Sequence, residues 1–379
     1  MRPKLKRTRR AARKGQYALI TGGCGFIGTN LADRLLSQGE EVLLYDNLSR
    51  AGVEKNLEWL RQEHGDLVGL VHADTRDPAA LRSAVRGATK VFHFAAQVAV
   101  TTSLLDPVQD FEVNATGTLN LLEALRSVPE PVPLIFTSTN KVYGGLDDLA
   151  MLEKETRYEP VDLKLLSSGI SERRVLDFHS PYGCSKGCAD QYVIDYARTY
   201  DLPAAVFRMS CIYGPHQFGT EDQGWVAHFL IRAMQNERIT LCGDGKQVRD
   251  ILFVEDLVNA FVLAHDNIEE IAGSAFNIGG GPGQTVSLLE LLSFIEELNG
   301  RKPDVSFDAW RTGDQRYYVS DTRKFAAATG WAPQVDVHEG VERLYRWLLE
   351  ARSSVDNAPR ARRNGHRRKR LTAVAEERA

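Results

Sequence analysis

The chain has 379 residues, 43% of them hydrophobic and 26% charged, with a formal net charge of -3. That composition belongs to a globular protein with one large or two moderate cores. It excludes a membrane-spanning chain, because no apolar run approaches a span, and the basic opening MRPKLKRTRRAARKG lacks the apolar stretch of a secretory signal.

The cysteines, Cys24, Cys184, Cys188, Cys211 and Cys242, are odd in number and lack metal-ligand spacing. They fit a reduced cytoplasm and no metal site. The charge is unevenly spread: residues 1–14 hold eight basic and no acidic side chains, and residues 352–379 hold nine basic and three acidic ones. Residues 1–14 and 351–379 therefore read as disordered basic arms around an acidic body. No folded nucleic-acid-binding motif accompanies them, so they are expected to be solvated tails.

Tyr17 to Thr21 (YALIT) reads as a short buried strand that runs into GGCGFIG, followed by a helical pattern from Phe26 to Ser37. Gly22, Gly25 and Gly28 would let backbone amides approach a pyrophosphate at the positive end of that helix, beside Phe26 and Ile27. A second strand, Glu41 to Tyr45, leads into Asp46 and Asn47, about 20 residues beyond the glycines. A carboxylate there accepts both ribose hydroxyls of an adenosine and repels a 2'-phosphate, which favours NAD over NADP, although Arg50 stands nearby.

The alternation continues through LVGLVHAD, VFHFAAQ and PLIFTST, the pattern of a parallel sheet with helices on both faces. The fold class expected is a Rossmann-type, doubly wound α/β sheet over 15–210, with a smaller α/β substrate-binding domain built from discontinuous segments over 211–350. One segment of that second part, about 246–270, is expected to return to the first. Asp74, Ala95, Ala96, Gln97 and Thr139 then rim one crevice at the carboxyl ends of the strands. Residues 144–180 form an insertion too long for a simple connection, expected to cover the crevice.

In HSPYGCSKGCADQYVIDYARTY, Tyr182 and Lys186 stand four apart as a helix begins, with Ser180 and Pro181 as cap and first-turn proline. An apolar stripe of Ala189, Val193 and Ala197 follows. A phenol of pKa near 10 needs about 4 kcal/mol of preferential stabilisation of its anion to titrate near 7. A lysine and a cationic cofactor can supply that, making Tyr182 a base for a hydroxyl proton.

These motifs, in this order, resemble the extended short-chain dehydrogenase/reductases, in the branch of nucleotide-sugar epimerases and dehydratases, over about residues 16–350. The resemblance implies that Thr139 bonds the reacting sugar hydroxyl, that Tyr182 is the base, and that Lys186 binds the nicotinamide ribose. It also implies an NAD site that includes Asn114. Dehydratases of the branch carry two carboxyl groups after the Ser/Thr, whereas this chain has Asn140 and Lys141, so epimerisation is favoured.

NLSRAGVEKNLEWLR, STNKVYG, LDFHSPYGCSKG, HQFGTEDQGW and GDGKQVRDILFVEDL are similar to epimerases of CDP-linked dideoxyhexoses more than to UDP-hexose 4-epimerases. This implies inversion at carbon 2 of a CDP-sugar through a 2-keto intermediate. By the same resemblance Arg249 and Arg311 meet the diphosphate, Asn140 lies at the sugar, and the protein is a homodimer or homotetramer. Gln217 and Gln223, with Asp222 and Trp225, are placed at the sugar or nucleotide. The alternatives are another nucleotide-sugar epimerase acting at carbon 4 and an NAD-binding regulatory protein without turnover.

Overall fold

The computed structural model describes residues 15–311 and 313–356. The first basic arm lies outside the described residues. Of the second, 351–356 continue the helix Val337–Asp356, so the expected boundary at 351 is not a structural one.

Seven strands form one parallel sheet: β1 (Tyr17–Thr21), β2 (Val42–Asp46), β3 (Val68–His72), β4 (Ala88–His93), β5 (Leu134–Thr139), β6 (Ala204–Met209) and β7 (Ala275–Ile278). Their order is β3-β2-β1-β4-β5-β6-β7. The strand order reverses direction between β1 and β4, which opens a crevice beyond their carboxyl ends.

Both faces of the sheet are buried, and the residues alternate accordingly. Ile20, Ile135 and Phe207 face a core closed by the helix α1 (Phe26–Ser37), by Leu257 and Phe261, and by Phe325 and Trp331. Leu19, Leu134, Phe136 and Val206 face the opposite core, with Leu121, Leu125 and Val193. Each such side chain contributes roughly 1.5–3 kcal/mol through burial.

The seventh strand corrects the expected return segment. Val248–Phe253 does not rejoin the large sheet but pairs with Cys211–Tyr213, Thr285–Ser287 and Tyr317–Tyr318 in a separate one. The return consists of the helix Val254–Asp266 and then β7, whose Ala275–Ile278 register with Val206–Met209. The reason is burial: Leu257, Phe261 and Phe276 complete the first core, whereas Ile251 and Phe253 pack with Tyr213, Leu241, Leu291 and Val341 in the second unit.

The insertion 144–180 holds a hairpin, Met151–Glu153 with Tyr158–Pro160, and the short helix Leu163–Ser168. Its contacts run along the junction of the two units: the Tyr158 hydroxyl donates to Asp244 at 2.5 Å, and Glu172 accepts from the Asn277 amide at 2.8 Å.

Candidate active site

A cavity of about 840 Å³ lies beyond the carboxyl ends of β1, β2, β4 and β5 and runs on to the second unit. Its size is in the range of small-molecule sites. No residue between Lys141 and Tyr182 lines it, so the expectation that 144–180 covers the crevice is corrected. The insertion braces the two units from outside, because its polar ends are claimed by Lys246, Asp244 and Asn277. Gln217, 220–226 and Arg311 line the cavity from the second unit instead.

At one end, the turn between β1 and α1 has the shape that its glycines require. Gly22 has φ +66, and a Cβ there would stand 2.7 Å from the Ala95 nitrogen; a Cβ on Gly28 would stand 2.4 Å from the Gly22 carbonyl oxygen. Side chains would fill this space, and bare backbone leaves α1 open at its start, where anions are stabilised. Asp46, the last residue of β2, reaches the same space, accepting from the backbone nitrogens of Cys24 at 3.0 Å and Leu48 at 2.8 Å. Burial raises its pKa while these two donors oppose the rise. Glycine turn, helix start and carboxylate together fit a dinucleotide.

Asp74 also lines this end, yet its oxygens already accept from Asn47 at 2.9 Å and from Arg76 at 2.9 and 3.0 Å. The Arg76 guanidinium holds its pKa at about 2. Ala95, Ala96 and Gln97 line the cavity, but the Gln97 amide closes on the backbone of Ala99. Asn114 does not line it. Its amide bonds Gln97 nitrogen and oxygen, Asp110 and Ser185, which holds the loop after β4.

In the middle of the cavity the helix α2 (Ser180–Thr199) presents Tyr182 and Lys186 beside Thr139 at the end of β5. Pro181 occupies the first turn, and the Ser180 hydroxyl accepts from the Gly183 nitrogen at 3.3 Å. Tyr182 is 9% exposed and Lys186 3%. Burial pushes the phenol up to about 12, opposed by a hydrogen bond with Thr139 and reinforced by the Asp110 charge. The ammonium is pushed down to about 7 by burial, opposed by Asp190 and Asp110. The chain alone therefore does not make this phenol acidic; the expectation of an acidic phenol included the charge of a cationic cofactor as well as the lysine. For the lysine, desolvation outweighs the two carboxylates, whereas for the phenol desolvation and the Asp110 charge act in the same direction.

Beyond Thr139, Asn140 and Lys141 reach the loop that carries Arg311. The Asn140 amide donates to Gln315 at 3.2 Å, Gln315 donates to the Gly144 carbonyl at 2.7 Å, and Lys141 donates to the Gly313 carbonyl at 3.0 Å. Arg249, 7% exposed, donates to Asp314 at 2.7 Å. Arg311 pairs with Glu221 at 3.2 Å and with Asp222 at 3.8 Å. Gln217 and Gln223 line the cavity, each with a buried Oε1 that has no partner. Trp225 donates to the Cys211 sulfur at 3.3 Å.

Sequence reasoning missed several lining residues. Lys141 has its amine lowered to about 8 by burial, and Asp314 bridges Lys141 and Arg249. Gln247, 3% exposed, also has an unpartnered Oε1. Lys141 was within reach, two positions after Thr139; the others come from segments that only the fold brings together.

Residues 18–279 match the model of the NAD dependent epimerase/dehydratase family. A CDP-paratose 2-epimerase of Salmonella typhi is 46% identical over 339 residues, which is 87% of this chain and 98% of that protein. The Thermus thermophilus UDP-glucose 4-epimerase, solved in complex with NAD, superposes with a TM-score of 0.74 at 32% identity, covering 89% of this chain and all of that one. The dTDP-glucose 4,6-dehydratase DesIV of Streptomyces venezuelae, a double mutant with NAD bound, superposes with a TM-score of 0.77 at 29% identity, covering 89% and 98%. The chain belongs to the NAD dependent epimerase/dehydratase family.

Proposed function

We propose that the chain is a CDP-paratose 2-epimerase that inverts carbon 2 of a CDP-linked dideoxyhexose with NAD as its cofactor. The observation that carries the choice of sugar nucleotide is the 46% identity to the Salmonella typhi enzyme across 98% of that enzyme's length. The cavity supports epimerisation over dehydration. Elimination of water needs two free carboxyl groups at the sugar. Here an amide and an ammonium follow Thr139, and Asp314, Glu221 and Asp222 are all engaged with Arg249, Lys141 or Arg311.

In this reading residues 15–210, with the return ending in β7, bind the cofactor, and the second unit binds the sugar nucleotide. Gly22, Gly25 and Gly28 receive the pyrophosphate, and Asp46 accepts from the adenosine ribose. When bound, the dinucleotide supplies a hydride acceptor and donor. Tyr182 takes the proton from the carbon-2 hydroxyl and returns it after the ketone has presented its opposite face. Thr139 orients that hydroxyl, and Lys186 supplies positive charge beside the phenol. Arg249 and Arg311 grip the diphosphate with forked donors.

Product analysis by NMR after incubation with CDP-paratose and, separately, UDP-glucose tests the proposal. CDP-tyvelose from the first and no change in the second is the result expected. Conversion of UDP-glucose alone would transfer the assignment to a carbon-4 epimerase.

A further inference from the structure

The stretches NLSRAGVEKNLEWLR and HQFGTEDQGW are far apart in sequence, and the fold seats one on the other. The first begins as the loop after β2, where Asn47, Ser49, Arg50 and Val53 line the dinucleotide end of the cavity beside Asp46, and it continues as the helix Val53–His64. The second belongs to the second unit, and from Thr220 to Trp225 it lines the same cavity. Neither His216 nor Phe218 is among the lining residues, so both act through what they touch.

Phe218 covers the end of the loop. Gly52, which caps the helix in left-handed backbone at φ +91, lies directly under the ring, and a Cβ on it would stand 2.8 Å from Phe218 Cδ2. The Lys55 ammonium lies 5.7 Å from the centre of the same ring. His216 sits between Trp59, with ring centres 4.1 Å apart, and Trp347 at 5.2 Å. Its φ of +66 is costly for a residue other than glycine and persists only where the surroundings fix it.

Asn56, 2% exposed, joins this contact to the glycine turn. Its amide nitrogen donates to the Cys24 carbonyl at 3.1 Å and to the His216 carbonyl at 3.3 Å, and its Oδ1 meets His216 Nδ1 at 3.3 Å. Asn30 on α1 donates to the Pro215 carbonyl at 2.9 Å. Both walls of the dinucleotide end, the glycine turn with its helix and the loop after β2, are therefore tied to Pro215–Phe218.

We infer that Pro215–Phe218 is a strap by which the second unit holds the cofactor loop against the glycine turn, with His216 and Phe218 as positioning residues that retain NAD through Asn56 and Gly52. Without the ring, the Gly52 end of the loop can swing away from the turn and open a path out. A reaction that returns its cofactor unchanged loses nothing by keeping it. That benefit rests on the proposed function, whereas retention rests on NAD binding alone.

Radiolabelled NAD bound to the full chain is chased with unlabelled NAD, and the label still bound is counted after rapid filtration. Phe218→Ala should release NAD about 5–10-fold faster than the parent, the factor that one ring contact accounts for, with Tm within a few degrees. Phe218→Tyr, which keeps a ring over Gly52, should hold NAD as the parent does. His216→Asn suits left-handed backbone but removes the ring between the two tryptophans. It should speed release by about threefold, and it decides the matter if Phe218→Ala does not fold. Parent release rates in the folded variants, with only a lower Tm, would overturn the inference. Faster release in the variants, from a parent that turns over no sugar nucleotide, would leave the strap standing and sink the epimerase reading.

Discussion

Lys186 donates to the Thr137 carbonyl at 2.6 Å, with its ammonium 4.3 Å from the centre of the Phe136 ring. The lysine on α2 is thereby anchored to the strand that ends in Thr139. Its position is fixed by the main chain of the sheet, and its charge is set by burial. The amine, lowered to about 7, loses its proton well below the ordinary lysine value of 10.5.

A stability signature follows from this. Between about pH 7 and 10.5 the unfolded chain binds more protons at this position than the folded one, so the Lys186 contribution makes stability rise with pH across that window. Below pH 7 both states hold the proton and the full cost of burying the ammonium is present. Lys186→Met should therefore raise Tm relative to the parent more at pH 6 than at pH 9, while turnover falls by about 10²-fold or more. Calorimetry across pH checks the sign.

Tyr182→Phe removes the hydroxyl that bonds Thr139 and leaves the ring in place. Turnover should fall by about 10²–10⁴-fold with NAD retained and Tm within a few degrees of the parent. Near-normal turnover would refute Tyr182 as the base.

Arg249→Ala leaves Asp314 without its arginine and removes the forked donors that the proposed function assigns to the diphosphate. KM for the nucleotide sugar should rise by roughly 10–100-fold with kcat changed by less than about threefold. Steady-state kinetics with NAD saturating separates the two.

Gly28→Ala would push a methyl group to 2.4 Å from the Gly22 oxygen and 2.7 Å from Gly23 Cα. Because both neighbours are backbone, α1 must shift away from the turn, at a cost of about 1–3 kcal/mol. NAD co-purifying with the protein, read by absorbance after denaturation, should be lost.

Asp190→Asn breaks the buried pair with Arg208, whose side chain is only 5% exposed. Removing one partner of such a pair costs roughly 3–5 kcal/mol, because the other charge stays buried. A lower urea midpoint with an unchanged m-value is the outcome expected.

The alternation of apolar residues and the glycine spacing sufficed to place β1 and α1 at their observed ends, since these signals are local. The four-residue step from Tyr182 to Lys186 likewise put both on one face of a helix without any knowledge of the fold. The orientation of the buried Asn114 amide was not legible, because it depends on Gln97 and Ser185 from two other segments as well as on Asp110 one turn earlier. The return segment began and ended too early because Val248–Phe253 and Ala275–Ile278 are both short strands, and the sheet that each joins depends on which core has room for it.

The residues capable of the chemistry, the parallel sheet and the dinucleotide turn were thus determined by the order of side chains along the chain. Packing alone decided that Asn140 and Lys141 hold the Arg311 loop, that the insertion stays outside the cavity, and that Tyr182 is buried so deeply that its phenol is driven up. Hydrogen bonding and desolvation act through space, between groups far apart in sequence, and no local pattern encodes their distances.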